Sequence, residues 1–219
     1  MRSNHTFATG WLIHVLLVLF SGLTAAAEPP SVTLAERYDG QHDLSTYWVS
    51  EKYDGVRGYW TGDALLTRGG TPIDTPAWFT AGWPDTPVDG ELWIGYGEFA
   101  RVSGIVRTHD ARDREWRRIS YRVFDLPEHG GDFDARVPAI RETVAAIDQP
   151  WVVAIRQFKV DDPAALDAAL DAVLARGGEG LILHRGAAPY RAGRSDDLLK
   201  LKPYDDAEAI VTAINPGQG

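Results

Sequence analysis

The chain has 219 residues, 44% of them hydrophobic, with 22 basic and 31 acidic side chains, a formal net charge of −9 and no cysteine. That apolar fraction can build a core and the Gly and Pro contents are ordinary, which argues against disordered, collagen-like and disulfide-stapled classes. The missing thiol removes cysteine nucleophiles and Cys-ligated zinc, and so acidic a body can hold nucleic acid or anionic lipid only through a local basic surface.

The first element is an apolar run over residues 11–20 (WLIHVLLVLF), with Arg2 the only formal charge before it and Ala25-Ala26-Ala27 after it. This is the pattern of a secretory signal peptide, and the run is well short of the roughly 20 residues that span a bilayer. Cleavage after Ala27 is expected, giving a periplasmic protein with no stable membrane association. Losing Arg2 and no acid lowers the net charge by one, to −10. Alternating apolar positions and β-branched or aromatic content then predict strands at 47–51, 56–60, 88–94, 121–126, 152–160, 180–185 and 208–214. A helix is predicted at 136–148, where Val137, Ile140, Val144 and Ile147 share a face. A second is predicted at 163–176, with Asp162 as N-cap, Pro163 in the first turn and Gly177-Gly178 at the end. Strands with interspersed helices and no strict βαβ alternation predict an α+β fold with a largely antiparallel sheet. The domain is expected to occupy 28–214, and 215–219 (NPGQG) reads as the start of a linker.

Several stretches carry groups able to do chemistry. In Glu51-Lys52-Tyr53-Asp54-Gly55-Val56-Arg57, Lys52 reads either as a nucleophile with its amine desolvated or as part of an ion-paired surface turn. Gly55 permits a tight turn that would aim Asp54 and Arg57 back at one pocket. Glu91, in Asp89-Gly90-Glu91-Leu92-Trp93, and Glu179, before Gly180-Leu181-Ile182-Leu183, could hold one or two Mg²⁺ ions beside a phosphate, or be solvated strand ends. Phe124 in Tyr121-Arg122-Val123-Phe124-Asp125 reads first as core packing and second as a stacking face for a base. Lys200 and Lys202 share one face of a strand with Leu201 turned away, either gripping phosphates or marking a basic edge.

Taken in order, EKYDGVR, DGELW, YRVFDLP, GGEGLILHR and LLKLKP resemble the nucleotidyltransferase motifs of ATP-dependent DNA ligases. The run from Gly177 to Ala209 is similar to the minimal bacterial ligases with a signal peptide, the ligase E type, and the resemblance covers about residues 31 to 219. It implies an ATP-grasp-like adenylation domain in which Lys52 becomes AMP-lysine. Asp54 and Arg57 would act around the adenylate phosphate, the ribose and the nick ends, and Arg68 would touch nucleotide or nick phosphate. Glu91 and Glu179 would serve the metal and ribose region, Phe124 would stack on adenine, and Lys200 and Lys202 would handle phosphates. ATP as AMP donor, Mg²⁺ as cofactor, nicked double-stranded DNA as partner and a monomeric state are what the resemblance implies.

Ligases of this kind continue into an OB-fold domain, whereas this sequence stops at Gly219. The expectation is therefore a chain lacking that domain, with impaired adenylation from ATP and weak DNA binding. An NAD-dependent ligase is disfavoured because only 24 residues separate Glu28 from Lys52 and there is no cysteine. An RNA ligase, which shares Lys-x-Asp-Gly, stays open, as does a non-catalytic nucleotide- or nucleic-acid-binding remnant. The eight tryptophans show no stacking-platform spacing that would favour a carbohydrate-binding module.

Overall fold

The computed structural model describes residues 28–109 and 113–203. The expected signal segment at 1–27, the strand expected at 208–214 and the linker at 215–219 lie outside the described residues. In chain order the elements are β1 (Thr33–Arg37), β2 (Tyr47–Lys52), β3 (Val56–Trp60), β4 (Leu65–Thr67), β5 (Val88–Trp93), α1 (Phe99–Val106), α2 (Asp113–Trp116), β6 (Ser120–Asp125), α3 (Phe133–Ile147), β7 (Val152–Ala154), α4 (Pro163–Leu174), β8 (Gly180–Arg185) and β9 (Gly193–Leu201). One sheet has the order β1-β9-β8-β2 and the other β4-β3-β5-β6-β7. Every pairing is antiparallel except β1 with β9 and β6 with β7. The class is α+β with antiparallel-dominated sheets, as expected.

Strand alternation divides each sheet into a core side and a cleft side. In the first sheet Tyr47, Val49, Leu181, Leu183 and Leu199 are buried with Leu166 and Val173 of α4. Their alternates Ser50, Lys52, Ile182, His184, Leu198 and Lys200 line a cleft. In the second sheet Trp60, Val88, Leu92, Tyr121 and Val123 pack with Val102 of α1 and with Phe133, Val137 and Ile140 of α3. Their alternates Arg57, Glu91 and Phe124 line the same cleft. The second core is rich in aromatic rings, with Trp83 stacked on Tyr121 at 4.7 Å and Phe79 edge-on to Trp116 at 4.7 Å. Several tryptophans are thus spent on burial, each contributing on the order of 1.5–3 kcal/mol.

Four elements were not predicted, and β9 was anticipated only at its end, around Lys200 and Leu201. The strands β1 and β4 are short, and β1 exists through its parallel pairing with β9, which sequence spacing does not announce. The helix α1 contains Gly104 and β-branched residues, poor helix formers. It is held by burial of Val102, Ile105 and Val106. The short α2 is anchored by the fully buried Trp116. The helix α3 starts three residues before its predicted start because the Asp132 side chain accepts the Ala135 N–H at 3.0 Å. The strand predicted at 152–160 ends at Ala154. There the chain changes partner: Ile155 N–H donates to the Val123 carbonyl at 2.8 Å, while Val49 and Phe158 exchange hydrogen bonds at 2.7 and 3.0 Å. The run therefore straps one sheet to the other.

Candidate active site

Lys52 is the last residue of β2, and its register partner on β8 is Gly180. Gly180 has φ 152°, and a Cβ there would lie 2.2 Å from the Leu201 carbonyl oxygen, so only glycine allows the close passage between β8 and β9. That junction brings Glu179, just before β8, and Lys202, just after β9, to Lys52. The Lys52 ammonium donates to Oε2 of Glu179 and the Lys202 ammonium to Oε1. Burial alone would raise the Glu179 carboxyl, but hydrogen bonds from Lys202 and Lys52 outweigh it and hold it below the ordinary range.

On the opposite wall Arg57 is fixed from several sides. Its Nε donates to Oδ1 of Asp89 at 2.9 Å, a second nitrogen meets Oδ2, and a third donates to the Thr33 carbonyl at 2.7 Å. Asp89 is fully buried and also accepts the Tyr190 hydroxyl at 2.9 Å. The guanidinium carbon lies 5.1 Å from the centroid of the Phe124 ring, a cation–π contact. Phe124 is half-buried and on the cleft side, so the packing reading of this aromatic gives way to a ring open to a ligand. Glu91 accepts the Gly55 N–H at 3.1 Å. Burial pushes its carboxyl up to about 8 against the pull of Lys52 and Arg57.

The cleft measures about 820 Å³ and takes in Lys52, Arg57, Arg68, Glu91, Phe124, Lys200 and Lys202. Arg68 is exposed just beyond β4, and Lys200 is half-buried on β9. The strand β9 lies between β1 and β8 and is not the basic edge considered from sequence. Asp54 departs from the expected arrangement. It is exposed and faces a separate recess of about 150 Å³ with Lys52, Tyr53, Trp93, Tyr96 and Glu179, because the chain leaves β2 at Lys52 and turns before Arg57. Lys52 touches both spaces. Sequence reasoning did not single out Asp89, Thr33, Tyr190 or Gln157. Asp89 stood in a quoted motif, but nothing local marks it as the seat of Arg57, and Tyr190 reaches it from 101 residues away.

With the Glu91 carboxyl raised by burial and Glu179 paired to two lysines, the cleft is lined by seven cationic side chains, Arg107 and Arg194 besides the five named above, on an acidic body. Such a surface suits a polyanion that also carries a ring for Phe124. No family model matches the chain. A DNA ligase of Haemophilus influenzae is 32% identical over 203 residues, covering 93% of this chain and 75% of the relative. The chain belongs to the DNA ligase family. A solved structure of a Lig E DNA ligase is 41% identical, with a TM-score of 0.80 over 87% of this chain and 75% of that one. The adenylate form of Chlorella virus DNA ligase shares the fold, at 23% identity and a TM-score of 0.68 over 84% of this chain and 71% of that one. This minimal ligase therefore has the nucleotidyltransferase fold that its motifs implied. EKYDGVR spans the end of β2 and the start of β3, DGELW lies on β5, YRVFD on β6, GGEGLILHR on the entry to and along β8, and LLKLKP on and after β9.

Proposed function

We propose that this ligase joins a 5′-phosphate to a 3′-hydroxyl at nicks in duplex DNA, through AMP carried on Lys52 and then on the DNA. The observation that carries the reading is Lys52 itself, at the meeting point of β2, β8 and β9 in a cationic cleft. In the first step Lys52 gives up a proton and its amine attacks the ATP α-phosphorus; the P–N bond forms, a second proton leaves the nitrogen, and pyrophosphate departs. The nick's 5′-phosphate then takes AMP, breaking that P–N bond, and the 3′-hydroxyl displaces AMP. Each transfer builds charge on phosphate oxygens, and Arg57, Lys200 and Lys202, which line the cleft, suit offsetting it. The Phe124 ring suits the adenine, and Arg68 at the cleft mouth suits nucleotide or nick phosphate. Asp54, in the recess that Lys52 also touches, suits the nick ends.

Glu179 fits a Mg²⁺ ion: it is a charged oxygen donor beside the attacking lysine, and Mg²⁺ is usually held by one or two carboxylates plus substrate phosphates. Bound there, the ion would neutralise charge on the phosphate oxygens. Glu91, its carboxyl pushed up to about 8 by burial, suits a ribose hydroxyl in the free cleft. Because Glu179 already pairs with Lys52, anything drawing Glu179 away also frees the amine.

The test is intact-mass analysis after incubation with ATP, Mg²⁺ and pyrophosphatase. An added AMP on Lys52, absent in Lys52→Ala, is expected. No adduct, together with no sealing of a 5′-adenylylated nick, would leave only a binding remnant, and preferential sealing of nicked RNA would transfer the reading to RNA. The leader-like sequence at residues 11–27 supports export to the periplasm; recovery of the protein only from the cytoplasmic fraction would overturn that. Among the described residues no helix is long and apolar enough to cross a membrane.

A further inference from the structure

Gln157 is 93% enclosed and lines the cleft, yet its Oε1 has no hydrogen-bond partner. Leaving a buried amide group unpaired costs about 1–3 kcal/mol, so the position calls for an explanation. The indole nitrogens of Trp83 and Trp116 are also unpaired, but they lie in the aromatic core, where no ligand can reach. Gln157 differs in facing the space in which the proposed nucleotide sits.

Its place in the sheet is fixed by the strap that joins the two sheets. Val49 pairs antiparallel with Phe158. One step along, Gln157 falls opposite Ser50, and the pleat turns both side chains away from the core that holds Val49. Ser50 in turn pairs with Ile182, and Ile182 with Lys200. Gln157, Ser50, Ile182 and Lys200 therefore form one row across the cleft side of the first sheet, with Phe124 contributed by the other sheet. Strands lie about 4.8 Å apart and advance about 3.4 Å per residue, which sets Gln157 about 8 Å from Lys52. A single nucleoside can span that separation, with its phosphate at the lysine and its base between Phe124 and Ile182.

We propose that Gln157 hydrogen-bonds the amino-bearing edge of the adenine and sets the preference of the ligase for ATP. A primary amide offers an acceptor and a donor side by side, and so does adenine at its amino group and adjacent ring nitrogen. The amide can turn about its last bond to present them in the matching order. This inference rests on the nucleotide reading of the cleft given above and adds to it the residue that reads the base.

The test is equilibrium binding by calorimetry, which needs no catalysis. The full chain, Gln157→Leu and Gln157→Met are titrated with ATP and with purine riboside triphosphate, which lacks the 6-amino group. Thermal melts check folding, and the methionine variant serves if the leucine variant does not fold. The unaltered chain should prefer ATP by about 10- to 100-fold, the effect of stranding one buried polar group. In the variants that ratio should fall to near one, with ATP weakened to the level of the analogue. An unchanged ratio overturns the assignment, and is the result expected if the amide is satisfied by water alone. A collapsed ratio without AMP on Lys52 upholds the assignment while sinking the transfer chemistry, and an adduct with an unchanged ratio does the reverse. A chain that binds neither nucleotide overturns both.

Discussion

Glu91 and Glu179 stand near one lysine, yet their surroundings drive them in opposite directions. Glu179 is held charged by two ammonium groups, whereas Glu91 is held neutral by burial. The sign of the stability effect follows. The unfolded chain gives up the Glu91 proton near its ordinary value of 4.5, and the folded protein only at about 8. Folding is therefore favoured most below pH 4.5 as far as this group is concerned, and that contribution is lost as pH climbs through 8. Glu91→Gln removes the titration while keeping the shape. Its Tm should decline less than that of the unaltered protein between about pH 5 and 8. At pH 8 it should be higher by several degrees, since each pKa unit of difference is worth about 1.4 kcal/mol and about 1 kcal/mol moves the Tm of a domain of this size by roughly 2–4 °C. Equal slopes in melts across that range would show that Glu91 is ionised in the free cleft.

At the scale of elements, the joints deserve the measurements. The helix α3 is pinned to β6 by Arg136 and Asp125, an ion pair with side chains 0% and 1% exposed, and Arg136 also donates to the Ala188 carbonyl at 3.2 Å in the β8–β9 connection. Arg136→Met strands a buried carboxylate and should cost about 3–5 kcal/mol in urea denaturation. Combining it with Asp125→Leu should recover most of the loss, because neither charge is then left alone. Gly180→Ala should cost more than about 1 kcal/mol, because φ and the Leu201 carbonyl both forbid a side chain. It should also lower Lys52 adenylation, since the displaced junction carries Glu179. These joints explain what the sequence made legible. The runs β2, β3, β5, β6 and β8 announce themselves through alternation, because each has one buried side. Lys52, Arg57, Glu91 and Phe124, singled out from their motifs, sit on those same runs and line one cleft. The elements β1 and α1 were not, because tertiary partners stabilise them and local preference does not. Tyr190 and Gln157 were invisible for a related reason: their roles arise only where a distant strand or strap passes.

For the molecule as a whole, charge and connectivity matter most. A body of net charge −9 repels a duplex except at its cleft, so affinity should reside in the cleft cations and fall with salt in proportion to how many of them contact phosphate. Arg68, exposed at the cleft mouth, has no ion-pair partner among the described residues and is the natural test. Arg68→Ala should weaken binding of a nicked duplex and reduce the slope of log K against log salt by about 0.9. An unaltered slope in fluorescence anisotropy would move the DNA contact elsewhere. The order of strands has a further consequence, for folding in time. Within the second sheet β3, β4, β5 and β6 are neighbours both in sequence and in space, and can assemble as soon as they are made. The first sheet must instead bring β1, near residue 35, against β9, near residue 197, and β2 against β8. Closing such long loops is the slow part of folding. Lys52 is therefore among the earliest chemical groups synthesised and among the last to gain its surroundings, so the growing chain cannot hold a nucleotide before β8 and β9 have joined. A chain handed unfolded across a membrane would arrive with its cleft still unmade.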